Sequence, residues 1–253
     1  MILDHVTVAG RDLKSMQARL ASIGIQSEYG GRHSNHATEM ALTSFPDGSY
    51  LELIAIQPDA DAKAVAAHGW SPQMQGDAGP CAWALRATRL DKELKPERGG
   101  RQRPDGVRLD WETANVGSKP SGEFFPFLIH DFSPRELRAF PSEKPTTQDF
   151  SGVARVVIAV RDLAAPVARY RKAFGLPAPV ERVDSEFGAK FAGFENSPVV
   201  LAAPLSTWLT ARLDEFGEGP CAFVLRSKSK PSGMAISWFD VAKLGWRLGF
   251  EAP

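Results

Sequence analysis

The stretch Leu3-Asp4-His5-Val6-Thr7-Val8-Ala9-Gly10-Arg11-Asp12-Leu13 returns 150 positions later as Val153-Ala154-Arg155-Val156-Val157-Ile158-Ala159-Val160-Arg161-Asp162-Leu163. A second segment, Gly79-Pro80-Cys81-Ala82-Trp83-Ala84-Leu85-Arg86, returns 140 positions later as Gly219-Pro220-Cys221-Ala222-Phe223-Val224-Leu225-Arg226. Two repeats in the same order imply a duplicated chain. Within the first stretch Val6 and Val8 fall on one face and His5 and Thr7 on the other, the alternation of a strand. Asp12 then stands where a helix N-cap belongs. Leu13, Met16, Leu20 and Ile23 follow at helical spacing, and Gly24 ends the run. The copy repeats this with Asp162, then Leu163, Val167, Tyr170 and Phe174, then Gly175. Its Pro166 falls in the first turns, where proline is tolerated.

After the first helix come short strand-like runs, ending in Tyr50 to Ile56 beyond the turn signal Pro46-Asp47-Gly48. Strand, helix and three strands make one module. A second starts at Gly79, with a charged helical stretch over Asp91 to Glu97, a turn at Arg103-Pro104-Asp105-Gly106, a strand over Val107 to Thr113 and a last strand over Phe124 to His130. The third covers about Gly152 to Ala203. The fourth starts at Gly219 and has only about thirty residues left, so it is expected to be truncated. Ser133 to Phe150 is rich in Pro, Ser, Thr and charge, the composition of a linker. The expected division is 1–132, with modules at about 1–57 and 79–132, then a linker over 133–150 and a second unit over 151–253.

The chain has 253 residues, 43% of them hydrophobic, so each unit can bury a core. Thirty basic side chains balance thirty acidic ones, without the basic patch of a nucleic-acid binder. No apolar run reaches membrane-spanning length, and the N-terminus lacks the pattern of a signal peptide. The expectation is a cytoplasmic protein with small-molecule partners, no nucleic acid and no membrane. Cys81 and Cys221, in matched apolar surroundings, are expected to be reduced and buried.

The order βαβββ, twice per unit, resembles the vicinal oxygen chelate superfamily, and Val160-Arg161-Asp162-Leu163 leading to Phe174-Gly175-Leu176 looks like its module opening. The N-terminal half resembles the glyoxalase-like domain family in particular. It carries Asp4-His5, Gly30-Gly31-Arg32-His33 and Gly48-Ser49-Tyr50-Leu51-Glu52-Leu53, then Arg103-Pro104-Asp105-Gly106-Val107 and Pro126-Phe127-Leu128-Ile129. The likeness covers about residues 1 to 132; the C-terminal half is similar only to the superfamily. It implies an α+β fold of two units, each pairing two βαβββ modules into an open, curved mixed sheet with its ligand site on the concave face. In metal-using relatives the first and last strands of a module each donate one ligand, and His5 and Glu52 stand at those positions.

Glu52 lies in an apolar strand, where a carboxylate needs a partner. A histidine with a glutamate suits Mg, Mn, Fe, Ni or Zn; a buried His–Glu hydrogen bond without metal is the other reading. His5 to Glu52 spans 47 positions and Ala82 to His130 spans 48, which nominates His130 as a third ligand, subject to strand register. Glu52 is also the candidate catalytic group. Thr7 and Tyr50, on the faces of His5 and Glu52, join Arg32 and His33 as substrate-contact candidates. In the second unit Arg155 and Val200 occupy the slots of His5 and Glu52, so it is expected to be a packing partner or dimer surrogate, and a homodimer stays open. His33 and His36 have a His-x-x-His spacing that a solvated loop explains equally well. Gly30-Gly31 lacks the setting of a nucleotide loop. Two functions compete. One is a metal-dependent enzyme of lyase, isomerase or dioxygenase type acting on a small oxygen-rich molecule; the other is a metal-free binding or sequestration protein.

Overall fold

The computed structural model describes residues 1–117, 124–229 and 236–253. The first module is β1 (Leu3–Ala9), α1 (Leu13–Ser22), β2 (Glu28–Arg32), β3 (Thr38–Ser44) and β4 (Tyr50–Ile56). Two short helices, α2 (Ala62–Ala67) and α3 (Ser71–Gln75), lead to β5 (Gly79–Arg86), β6 (Glu97–Gln102), β7 (Arg108–Asn115) and β8 (Phe127–Asp131). After α4 (Arg135–Ala139) the pattern resumes with β9 (Phe150–Ala159), α5 (Ala164–Phe174), β10 (Val180–Asp184), β11 (Ala189–Gly193) and β12 (Val199–Pro204). The last part is α6 (Thr207–Phe216), β13 (Gly219–Ser227), β14 (Ser237–Trp238), α7 (Val241–Leu244) and β15 (Arg247–Glu251).

Two mixed sheets result. One has eight strands in the order β2-β3-β4-β1-β5-β8-β7-β6, the other seven in the order β10-β11-β12-β9-β13-β15-β14. In both, the opening strand of the first module pairs parallel with that module's last strand and antiparallel with the opening strand of the next. Among the described residues the final module has one strand fewer than the second.

Alternation along the strands divides their side chains between two cores. Val6, Val8, Leu51, Leu53, Trp83 and Leu85 meet Val156, Ile158, Val160, Leu201, Phe223 and Leu225 in a core shared by the two sheets. Each such side chain, fully buried, contributes on the order of 1.5–3 kcal/mol. Arg212 of α6 reinforces the junction by donating to the carbonyls of Ala78, Pro80 and Pro220.

The opposite faces differ. In the C-terminal sheet that face is filled by Val157, Phe187, Phe191 and Val200 together with Leu209 and Leu213 of α6. The register pairs Thr7 with Glu52 and Val157 with Val200, so Val200 is the structural counterpart of Glu52. Arg155, the counterpart of His5, is held by Glu251 at 2.7 Å. In the N-terminal sheet the face is open and forms a cavity of about 1020 Å³.

Three local expectations need correction. Asp91 to Glu97 is not a helix: only Lys92–Leu94 makes a 3₁₀ turn, because Lys95 adopts a left-handed backbone (φ 51°) just before Pro96, which disfavours continuation. The last strand of the second module runs over Phe127–Asp131 rather than from Phe124. The proline-rich segment read as a linker contains α4, which docks on the N-terminal sheet.

Candidate functional site

The cavity floor is built from β1 and β4. Glu52 is 8% exposed, and its Oε2 accepts a hydrogen bond from the Thr7 hydroxyl at 3.2 Å. Oε1 lies 3.3 Å from His33 Nε2 and Oε2 lies 3.9 Å from His5 Nε2. Burial pushes the Glu52 carboxyl up, but the His33 hydrogen bond and charge, the charge of His5 and the Thr7 hydroxyl outweigh it and hold it at about 2. Glu52 is therefore an anion throughout the neutral range.

Both histidines are aimed from behind. His5 Nδ1 lies 2.7 Å from Asp4 Oδ1, and its ring stacks on Tyr50 with centroids 4.8 Å apart. Burial raises the Asp4 carboxyl, yet Arg138, His5 and Arg135 together hold it well below the ordinary carboxylate range. Being ionised, Asp4 can only accept, so Nδ1 carries the proton and Nε2 is left facing Glu52. A carboxylate behind a ligating histidine is a recurrent way to orient it toward a cation. His33, at the end of β2, is set by Thr38, whose hydroxyl lies 2.8 Å from its Nδ1.

Behind Asp4 sits a buried ionic network that sequence reading missed. Arg138 of α4 gives Nη1 and Nη2 to the two Asp4 oxygens at 3.0 Å each, Nε and Nη2 to Asp131 at 2.5 and 2.8 Å, and Nη1 also to the Tyr50 hydroxyl. Arg135 adds a further bond to Asp4. Burial, opposed by the charge of Arg138 and aided by those of Asp4 and Glu52, raises the Tyr50 hydroxyl well above its usual value, so it stays protonated.

Of the residues nominated from sequence, the structure brings His5, Glu52, His33 and Tyr50 to the cavity. Thr7 is fully buried beneath it and spends its hydroxyl on Glu52, so it supports the site without lining it. Arg32 turns outward and lies 3.5 Å from the exposed Asp59. His130 is corrected out of the ligand set. Phe127 and Ile129 line the cavity, so by alternation His130 points away; its Nδ1 lies 3.3 Å from the Ala87 carbonyl and its ring packs on Phe132. His36 is exposed, with a left-handed backbone, and does not join His33.

The walls add Met40, Leu42, Trp70, Trp111, Phe127 and Ile129, with Arg101 among them. His68 also faces the cavity, and burial, aided by His33 and opposed by Glu52, pulls its imidazole down. Cys81 and Cys221 are buried and not joined in a disulfide, and burial pushes the Cys221 thiol up to about 12.

The sequence model of the glyoxalase-like domain matches residues 3–174, from β1 through α4 to the end of α5. The chain belongs to the glyoxalase-like domain family. Its paired modules are those of the vicinal oxygen chelate superfamily. Among solved structures, a hypothetical protein from Staphylococcus aureus matches over 99% of both chains at 14% identity, with a TM-score of 0.69. A mutant of 4-hydroxymandelate synthase from Streptomyces coelicolor matches over 90% of this chain and 72% of its own at 12% identity, with a TM-score of 0.55. Methylmalonyl-CoA epimerase from Mycobacterium tuberculosis covers 42% of this chain and 91% of its own at 20% identity, with a TM-score of 0.37. The first two of these likenesses show a shared fold and leave the chemistry of the glyoxalase-like site to its own residues. No curated protein matches the sequence.

Whether that site suits a divalent cation is a question of donors. Two imidazoles and a carboxylate are the right chemistry for Mn, Fe, Ni, Zn or, less well, Mg. The asymmetric spacing agrees: His5 Nε2 stands 3.9 Å from Glu52, too far for a hydrogen bond, with its lone pair turned to an anion whenever the ring is neutral. Among the described residues no three His, Cys, Asp or Glu side chains already converge as a closed metal set. The donors fit in kind, and closing around a cation requires His5, His33 and Glu52 to draw together.

Proposed function

We propose that the N-terminal cavity is the active site of a metal-dependent enzyme acting on a small, oxygen-rich molecule, with the cation held by Glu52, His5 and His33. The observation that carries this reading is Glu52 itself. A buried carboxylate facing an open cavity, 3.3 Å from His33 Nε2 and 3.9 Å from His5 Nε2, is a strong anchor for a cation. A bound divalent cation would supply Lewis-acid polarisation of substrate oxygens.

The chain's own residues do the rest. Asp4 fixes the tautomer and direction of His5, and Thr38 fixes the direction of His33. Thr7 occupies one lone pair of Glu52 and restricts its rotation. Trp70, Trp111 and Phe127 enclose the substrate and lower the local dielectric, which strengthens every charge interaction at the floor. Lyase, isomerase and dioxygenase chemistries all remain within this arrangement, since each needs a held, polarised oxygen. We read residues 1–132 as the catalytic unit and 151–253 as its packing partner; the filled face of the C-terminal sheet supports that division. A cytoplasmic location fits two buried cysteines that form no disulfide.

The test is elemental analysis of protein purified without affinity tag or chelator, beside His5→Ala, Glu52→Ala and His130→Ala. Roughly one metal per chain, lost in the first two variants and kept in the third, is the expected result. No metal even after incubation with Mn, Fe, Ni and Zn would overturn the enzyme reading in favour of a metal-free binding protein.

A further inference from the structure

Three arginines are buried around the N-terminal cavity, and two of them are matched by anions. Arg138 is spent on Asp4 and Asp131. Arg103 donates to the carbonyls of Leu137 and Pro141 and pairs with Asp105 at 2.9 Å. Arg101, on β6, is 4% exposed and lines the cavity, yet among the described residues its side chain donates only Nη1, to the Gly30 carbonyl at 2.8 Å. Among the described residues no carboxylate comes within ion-pair distance of it.

A guanidinium has five N–H donors and no way to shed its charge, so burying it with a single hydrogen bond and no counter-ion is unfavourable. Burial pulls its pKa down, and Tyr50 and Glu52 act in the opposite sense. Such a group is stable in place when an anion arrives with the ligand.

We propose that the molecule bound in this cavity carries a carboxylate, and that Arg101 receives it. The planar fork matches a carboxylate bidentately, which makes this contact a determinant of specificity as well as of affinity. A monoanion fits better than a phosphate dianion, because Arg101 is the buried cation of the cavity left without a carboxylate among the described residues, Lys95 of the same cavity is exposed to solvent, and Glu52 faces the same space. The apolar wall of Met40, Leu42, Trp111 and Phe127 takes the body of the molecule. The substrate class is thus a small carboxylic acid with an apolar portion. This inference rests on the cavity being the ligand site named above, but on no cation.

The experiment is calorimetric titration of the purified full chain with 3-phenylpropionate, hexanoate and benzoate, each against its own primary amide. The expected result is that at least one acid binds about tenfold or more tightly than its amide. Arg101→Gln should abolish that preference and Arg101→Lys retain part of it. Glu52→Gln should leave the preference intact or enlarge it, whatever becomes of metal binding, so failure of the metal reading is distinguishable from failure of this one. The acid–amide comparison needs no variant and stands even if Arg101→Gln fails to fold. No preference for acid over amide in any of the three pairs, or a preference that persists undiminished in a folded Arg101→Gln, would overturn the proposal.

Discussion

Replacing Arg138 by Met keeps most of the side chain's volume and removes its charge from the centre of the Asp4 network. The substitution strands two carboxylates, since Asp4 loses two hydrogen bonds and Asp131 two more, and the Tyr50 hydroxyl loses one. Removing one partner of a buried ion pair costs about 3–5 kcal/mol. Arg135 still reaches Asp4, which places the expected loss at the low end, about 3 kcal/mol. For a domain of this size that lowers Tm by about 6–12 °C. Asp4 has its carboxyl lowered in the folded state, so the stabilisation it provides is fully present above the unfolded value near pH ~4 and is lost as pH falls from there towards the folded value. Urea unfolding at pH 7 and again at pH 3 reads both quantities. The difference between wild type and Arg138→Met should be about 3 kcal/mol at neutral pH and smaller in acid. A loss under about 1 kcal/mol at pH 7, the range of an exposed pair, would refute the network's structural role. So would a difference that does not shrink in acid.

Arg212→Met removes the donor shared by the Ala78, Pro80 and Pro220 carbonyls where the two sheets meet. Leaving buried acceptors unsatisfied costs about 1–3 kcal/mol, and thermal unfolding should show that loss together with a separation of the two halves' transitions; an unchanged single transition would contradict it. Neither thiol should react with an aromatic disulfide reagent in the native state, because both are buried and Cys221 is pushed up to about 12, while two equivalents should appear in denaturant. Fast native labelling of either cysteine would mean that the strands β5 and β13 open locally.

Much of the architecture is written in short-range pattern. The repeat beginning at Leu3 and Val153 marks the two strands that lie side by side in the shared core, and period-two alternation separates Val6 and Val8 from His5 and Thr7. Asp12 caps α1 through the Ser15 amide at 2.6 Å, as its position before Leu13 suggests. Glu52 can be read as a site residue because a carboxylate in an apolar strand demands a reason. The failures are of another kind. His130 depends on strand register, and counting residues between modules cannot resolve a one-residue offset that exchanges the faces. Arg101, Arg103 and Arg138 look like surface residues to any composition rule, because what buries them is tertiary: α4 folding back onto β1 and β8, and β6 closing the cavity wall. Asp4 was visible only as half of Asp4-His5, and its role as the orienter of His5 needed Arg138 on its far side. The helix α4 was hidden because its five residues lie between Pro134 and Pro141, in a segment whose composition reads as loop.

The most direct test of the account is anomalous diffraction at the cobalt edge from crystals of this protein soaked with Co(II). The account predicts one dominant peak on the cavity floor, within bonding distance of a Glu52 oxygen and of Nε2 of His5 and His33, and absent from Glu52→Gln crystals. A dominant peak at His36 or His130, or no peak above the noise in crystals that diffract well, would contradict it.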